Sequence, residues 1–167
     1  DAKGAHATLE ICGPWMPIGD RPPSDDQVLV AARGAAGTIE SPETFTPTTL
    51  AEKLAENPRF EQAPMDWAWI GVRRDSFLFA LEPVDPLPAR TTVGFRAVPV
   101  TSKVAHHTAA PTFRIPLDVS PGAPQTFRFR VYAGPNSHSV LRTEPYGTLD
   151  RAVPTRWMSI GPIEALL

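Results

Sequence analysis

Cysteine is almost absent from this sequence, which has a single thiol, Cys12, among 167 residues. One cysteine excludes an intrachain disulfide and argues against a metal site built from thiolates. Because Cys12 lies in a short alternation of apolar and polar residues, we expect it to be a half-buried thiol on a strand.

Several further features are missing from the sequence, and their absence argues against particular classes of function. No run approaches the roughly 20 apolar residues of a membrane span, and the first residues lack the apolar core of a signal peptide. The net charge is −2, with lysine and arginine scattered, so nucleic acid is not an expected partner. Nucleophile motifs, glycine-rich phosphate loops and clusters of metal ligands are also missing. The sequence therefore predicts neither an enzyme nor a cofactor.

Proline, in contrast, is abundant, since 20 prolines are more than double an average content of about 5%. That density favours many short strands with rigid connections over long helices. Strand patterns occur at residues 7–12, 27–32, 65–81 (as a hairpin), 91–98, 113–119 and 126–132. Together they predict a mostly β protein, an antiparallel β-sandwich in a single domain over residues 1–167.

The alternation also predicts which side chains share a face. Trp67 and Trp69 are expected on one face of a strand that is apolar, and hence covered, on both sides. Pro116 has no ladder donor, which predicts that residues 113–119 form an edge strand. In the last strand, the inward residues are expected to be Phe127, Phe129 and Val131, and the outward residues Arg128, Arg130 and Tyr132.

One short interior helix is predicted from Leu50 to Glu56. Thr49 and Glu52 have the spacing of a capping box, which would satisfy the free amides at the start of the helix. Asn57 and the proline that follows it end the helix.

The last residues, Trp157 to Leu167, form an apolar amphipathic segment. On a helix, one face would carry Ile160, Ile163, Leu166 and Leu167. This face would either lie against a bilayer or couple the domain to a following membrane span, or it would pack on the sandwich as a terminal helix. Trp157 and Met158 would either plug the sandwich or anchor it at a membrane interface.

Two polar pairs resemble binding sites. His106 and His107 are adjacent, so in an extended chain they point to opposite faces and rarely ligate one metal. We expect them in an exposed loop. Arg128 and Arg130 share a face and could together bind an acidic partner.

Three segments, in order, resemble the periplasmic domain of the bacterial YidC membrane protein insertases. The segment 67–81 is similar to a family strand of the form W-x-G-V-x-x-x-Y-F-x-x-A-L. The segment 127–135 is similar to a Y-x-G-P-K strand, through Tyr132, Gly134 and Pro135, although Asn136 replaces the lysine. A leucine-rich helical stretch with Leu141 and Leu149 follows, and then Trp157 and the apolar tail. The resemblance spans residues 65–167.

The resemblance implies a β-supersandwich of the mutarotase type with short C-terminal helices, on the periplasmic side of the bacterial inner membrane. Residues 157–167 would form the junction to the next membrane span. It also implies a structural and interaction module of an insertase, which helps nascent membrane proteins enter the bilayer alone or with the Sec translocon. The insertion step itself would belong to the membrane spans. A carbohydrate-binding or mutarotase-like sandwich is the alternative, because one fold serves both functions.

Overall fold

The computed structural model describes residues 5–14, 16–18, 26–34, 37–74, 76–99, 107–119, 123–143 and 145–153. Over these residues, ten strands form two five-stranded antiparallel sheets. The strands are β1 (Ala5–Cys12), β2 (Met16–Ile18), β3 (Gln27–Ala32), β4 (Glu43–Phe45), β5 (Glu61–Gln62), β6 (Trp67–Arg74), β7 (Phe77–Pro83), β8 (Thr92–Pro99), β9 (His107–Val119) and β10 (Phe129–Pro135). The predicted antiparallel β-sandwich with few short helices is confirmed.

We call the two sheets the front sheet and the back sheet. The front sheet has the order β1-β9-β8-β5, and β2 also pairs with β9. The back sheet has the order β10-β7-β6-β3-β4. The helices are α1 (Pro47–Glu56), α2 (His138–Leu141) and a 3₁₀ helix (Gly147–Ala152).

The inner core lies between the two sheets and is closed by α1. Its fully buried members include Val28, Phe45, Leu50, Trp67, Ile70, Val93, Phe95, Phe113 and Ile115. Each such side chain stabilises the fold by about 1.5–3 kcal/mol relative to exposure. This core therefore contains many of the apolar positions of the strand patterns.

A β-bulge in β6 separates the two tryptophans. Ala31 pairs with Trp69 whereas Ala32 pairs with Trp67, so Ala68 is an extra residue in the strand. The alternation changes phase there: Trp67 packs in the inner core, and Trp69 packs on the outer face of the back sheet. The predicted common face is wrong, while the predicted apolar cover on both sides of the strand is confirmed.

β9 is the central strand of the front sheet, so the predicted edge position of residues 113–119 is wrong. Its prolines fall where no ladder donor is required. The Pro111 carbonyl accepts a hydrogen bond from the Gly13 amide at 2.8 Å, so Pro111 faces the gap between β1 and β2. Pro116 faces the other side of the strand, toward β8. It lies beyond Arg114, where the pairing of β9 with β8 begins. Local gaps in the ladder, rather than an edge, accommodate both prolines.

α1 begins earlier than predicted because a proline starts it. The Thr46 hydroxyl oxygen accepts a hydrogen bond from the Thr49 amide at 3.2 Å, and Pro47 occupies the first helical position, where its fixed φ suits the helix. The predicted capping box at Thr49 is therefore wrong. The helix ends at Asn57 as predicted.

Two further expectations at the ends of strands are also wrong. Cys12 is exposed rather than half-buried, because β1 is the outermost strand of the front sheet. His107 is the first residue of β9, paired with Pro99 and Ile18, and not part of a loop. His106 lies outside the described residues.

Candidate functional site

The outer face of the back sheet is covered by residues 138–143 and 145–152, which we call the outer cover. The outer core between sheet and cover contains Leu29, Ala31, Ala68, Trp69, Leu78, Ala80, Tyr132, Leu141, Leu149 and Ala152. Leu141 of α2 and Leu149 of the 3₁₀ helix are at most 1% exposed. The leucines of the predicted C-terminal helices thus bury the second apolar face of β6.

Hydrogen bonds join the outer cover to the sheet. Trp69 Nε1–H donates to the Thr148 carbonyl at 3.0 Å, and Arg73 Nη1 donates to the Ala152 carbonyl at 2.7 Å. Both acceptors are backbone carbonyls, so the sheet holds the main chain of the cover as well as its side chains. A short, weakly helical segment needs such tertiary contacts to persist.

Tyr132 of β10 lies beneath the cover. It points away from the sandwich, as predicted, and is 7% exposed. Its ring meets that of Tyr146 edge-on at 5.0 Å, and its hydroxyl donates to the Pro135 carbonyl at 2.7 Å. Burial, with a smaller contribution from Tyr146, raises the pKa of Tyr132. Tyr132 therefore remains a neutral donor that fixes the end of β10.

Glu82 is the most buried carboxylate that contacts the cover. It is 5% exposed and accepts hydrogen bonds from the Thr148 hydroxyl at 2.7 Å and from Arg130 Nη1 at 2.9 Å. Arg130 Nη1 also lies 2.8 Å from the Pro145 carbonyl, to which it donates. Because a buried charge needs a partner and hydrogen bonds, this network ties the cover to β7 and β10.

Arg128 and Arg130 thus both have acidic partners within the chain. Arg128 makes two hydrogen bonds to Asp85, at 2.9 and 2.8 Å. Those hydrogen bonds hold the pKa of the Asp85 carboxyl below its usual value. The predicted contact of the two arginines with a separate acidic partner stays a prediction.

His138 and Asp150 form the pair in the cover that most resembles catalytic machinery. His138 Nδ1 contacts Asp150, and Arg142 Nε lies 3.2 Å from the second carboxylate oxygen. Burial opposes the ionisation of Asp150, but together the hydrogen bonds and charges of His138 and Arg142 hold its pKa below the usual value. A nucleophile-histidine-carboxylate triad also needs a hydroxyl or thiol hydrogen-bonded to the histidine, and no described hydroxyl or thiol is hydrogen-bonded to His138. In the described structure, this pair clamps α2 to the 3₁₀ helix.

An open groove of 520 Å³ lies where β8 begins and β9 ends. It is lined by Pro86, Leu87, Pro88, Ala89, Arg90, Pro116, Asp118, Gln125, Thr126 and Phe127. An Asp118 carboxylate oxygen lies 2.8 Å from His6 Nδ1, and the other lies 3.7 Å from Arg90 Nη2. The His6 and Asp118 side chains are 87% and 64% exposed, so water screens this pair and its energetic contribution is small.

An apolar surface lies at the β7–β10 end of the back sheet, on the face opposite the outer cover, where the described residues leave it exposed. Phe77 and Phe79 of β7 are 48% and 42% exposed, and Val131 of β10 is 69% exposed. Val131 was expected to be buried, which is wrong, since the inner core reaches Phe129 but not Val131. A recess of 270 Å³ separates this surface from Cys12 and its neighbours. Both faces of β7 are apolar in the sequence, so the pattern alone does not show which face stays uncovered.

The predicted membrane-proximal residues Trp157, Met158, Ile160, Ile163, Leu166 and Leu167 lie outside the described residues. None of the described helices has the length and apolar character required to cross a bilayer. No group of three or more histidine, cysteine, aspartate or glutamate residues in the described ranges is placed to hold a metal ion. No protein-family model matches the chain, and no curated protein or solved structure is significantly similar to it.

Proposed function

We propose that this chain is the periplasmic β-sandwich domain of a YidC-type membrane protein insertase, in which it is a structural and interaction module. One observation carries the proposal: the segments that resemble the family form a single unit. The β6–β7 hairpin pairs with β10, and the leucines that follow β10 bury themselves on the outer face of this unit. Segments separated along the chain thus contribute to one folded element.

The module would act by rigid attachment rather than by chemistry. The outer cover is fixed to the back sheet through Trp69, Arg73 and Glu82, so the chain leaves the sandwich from a defined place. In the proposal, residues 157–167 continue from there to a membrane span at the surface of the inner membrane. Sec translocon subunits and nascent membrane proteins are the proposed partners, and the insertion step belongs to the membrane spans.

The encoded full-length protein tests this proposal. We expect one apolar span of about 20 residues before Asp1 and another shortly after Leu167. In spheroplasts, external protease should cleave this domain, whereas in inverted membrane vesicles the domain should be protected. A reading frame without either span, or protection in spheroplasts, would contradict the proposal.

The groove beside Arg90 supports the second candidate function, carbohydrate binding. It combines the polar side chains of Arg90, Asp118 and Gln125 with the apolar surfaces of Leu87 and Phe127, the mixture that suits a sugar ring. Titration with monosaccharides, followed by NMR, would test it. Specific millimolar binding with shifts at these residues would favour this function, and no shift up to about 50 mM would exclude it at this groove.

A further inference from the structure

We propose that the edge of β10 with which no described strand pairs binds an extended, uncharged apolar peptide segment, which adds to the back sheet as a further strand. The inference depends on the geometry of this edge and not on the insertase proposal. It assigns the exposed apolar surface around Val131 to a partner of defined chemistry.

The backbone of β10 directs alternate residues away from the sheet. The Arg128 carbonyl accepts from the Val84 amide at 2.9 Å, and the Asn136 amide donates to the Ser76 carbonyl at 2.6 Å. The backbone N–H and C=O groups of the even-numbered residues therefore point toward β7. The N–H and C=O groups of Phe129, Val131 and Ala133 point to the other side, where no described strand pairs with them.

An extended chain can form hydrogen bonds with this edge. Only another strand matches regularly spaced backbone donors and acceptors, which is how strand addition recognises peptides. The Pro135 carbonyl is already occupied by the Tyr132 hydroxyl, so the available edge ends at Ala133.

The side chains beside the edge determine what the added strand must carry. Val131, Phe79 and Phe77 present apolar surface on one face, next to the recess at Cys12. Every second side chain of an added strand would lie on this face. The bound segment should therefore be apolar at alternate positions.

Charge at this edge is neutralised from within the chain. Natural edge strands are often protected by charged residues that discourage pairing. The charged residues of this strand and its approach, Arg128 and Arg130, are paired with Asp85 and Glu82. Neither guanidinium is left without an acidic partner, so an uncharged segment complements the edge.

A second copy of the chain fits this edge less well than a peptide. Antiparallel pairing of two β10 strands about Val131 would place Phe129 of each copy opposite Ala133 of the other, so only three edge residues of each chain would take part. Pairing through three residues falls well short of the roughly 1,000 Å² of buried surface that specific protein interfaces need.

The test uses the 167-residue chain, labelled with ¹⁵N, and the capped peptide Thr-Val-Thr-Val-Thr-Val-Thr. We expect NMR shifts centred on the amides of Phe129, Val131 and Ala133. Val131→Pro removes an edge donor without touching the β7 ladder, and it should weaken binding at least tenfold. Val131→Thr keeps that donor and is the matched control, for which we expect affinity within about threefold of wild type.

Two further measurements separate strand addition from binding through side chains alone. A peptide methylated at alternate backbone nitrogens keeps its apolar side chains but loses donors, so it should not bind. Val131→Lys introduces a charge at the edge and should weaken binding even if Val131→Pro fails to fold. Three outcomes would overturn the proposal: no shifts at millimolar peptide, equal binding of the methylated peptide, or a β10-mediated dimer seen by sedimentation.

Discussion

The β-bulge at Ala68 predicts that two nearby tryptophans stabilise opposite sides of the back sheet. Trp67 Nε1–H donates to the Thr91 carbonyl at 2.9 Å in the inner core, whereas Trp69 Nε1–H donates to the Thr148 carbonyl in the outer cover. Replacing each tryptophan by phenylalanine removes the donor but keeps most of the apolar ring. The two variants are controls for each other, because they change the same residue type on one strand.

The expected cost follows from the two acceptors. Leaving a buried carbonyl without its donor costs about 1–3 kcal/mol. The Trp67 hydrogen bond is buried and the Trp69 hydrogen bond is part-buried, so water can partly replace the second donor. We expect Trp67→Phe to lie in the upper half of that range and Trp69→Phe in the lower half.

Urea unfolding measures the free-energy changes, and hydrogen exchange shows where each variant loosens the structure. Trp69→Phe should raise exchange at the amides of residues 138–152, and Trp67→Phe should leave those amides unchanged. If Trp67→Phe loosened the cover as much as Trp69→Phe, the bulge would be wrong and both rings would share a face.

Three further variants test other parts of the fold. Gly71→Ala would place a Cβ 2.6 Å from the Phe79 carbonyl oxygen, so urea unfolding should show a loss of about 1–3 kcal/mol, and a wild-type midpoint would contradict the pairing of β6 with β7. The depressed pKa of Asp150 stabilises the fold above the unfolded pKa of about 3.9, and this contribution is lost as the pH falls through the folded pKa. The free energy that Asp150→Asn removes should therefore be larger at pH 7 than at about pH 3, and equal losses would refute the clamp. Thr46→Ala should cost about 1 kcal/mol of unfolding free energy and Thr46→Ser much less, whereas equal effects of the two would contradict the cap.

Local patterns in the sequence predict most of the strands because alternation and proline punctuation are local signals. The strand 27–32, the 65–81 hairpin and the end of α1 at Asn57 are confirmed. The predicted start of the helix is wrong because Thr46 and Thr49 are both good cap residues, and only Pro47 distinguishes them.

The incorrect predictions have non-local causes. The extra residue at Ala68 is visible only in the pairing of β6 with β3. The central place of β9 depends on gaps opposite Pro111 and Pro116, which are made by other strands. The Glu82–Arg130 contact and the exposure of Val131 depend on packing between segments that are distant in the sequence. No short motif therefore predicts either of them.

The most direct test of the central proposal is depletion of the full-length protein from its host, followed by pulse-labelling of a small two-span membrane protein. If this chain belongs to a YidC-type insertase, protease protection of the labelled protein should fall severalfold while a secreted control protein is still exported. Re-expression of the full-length protein should restore insertion. Normal insertion after complete depletion would contradict the account.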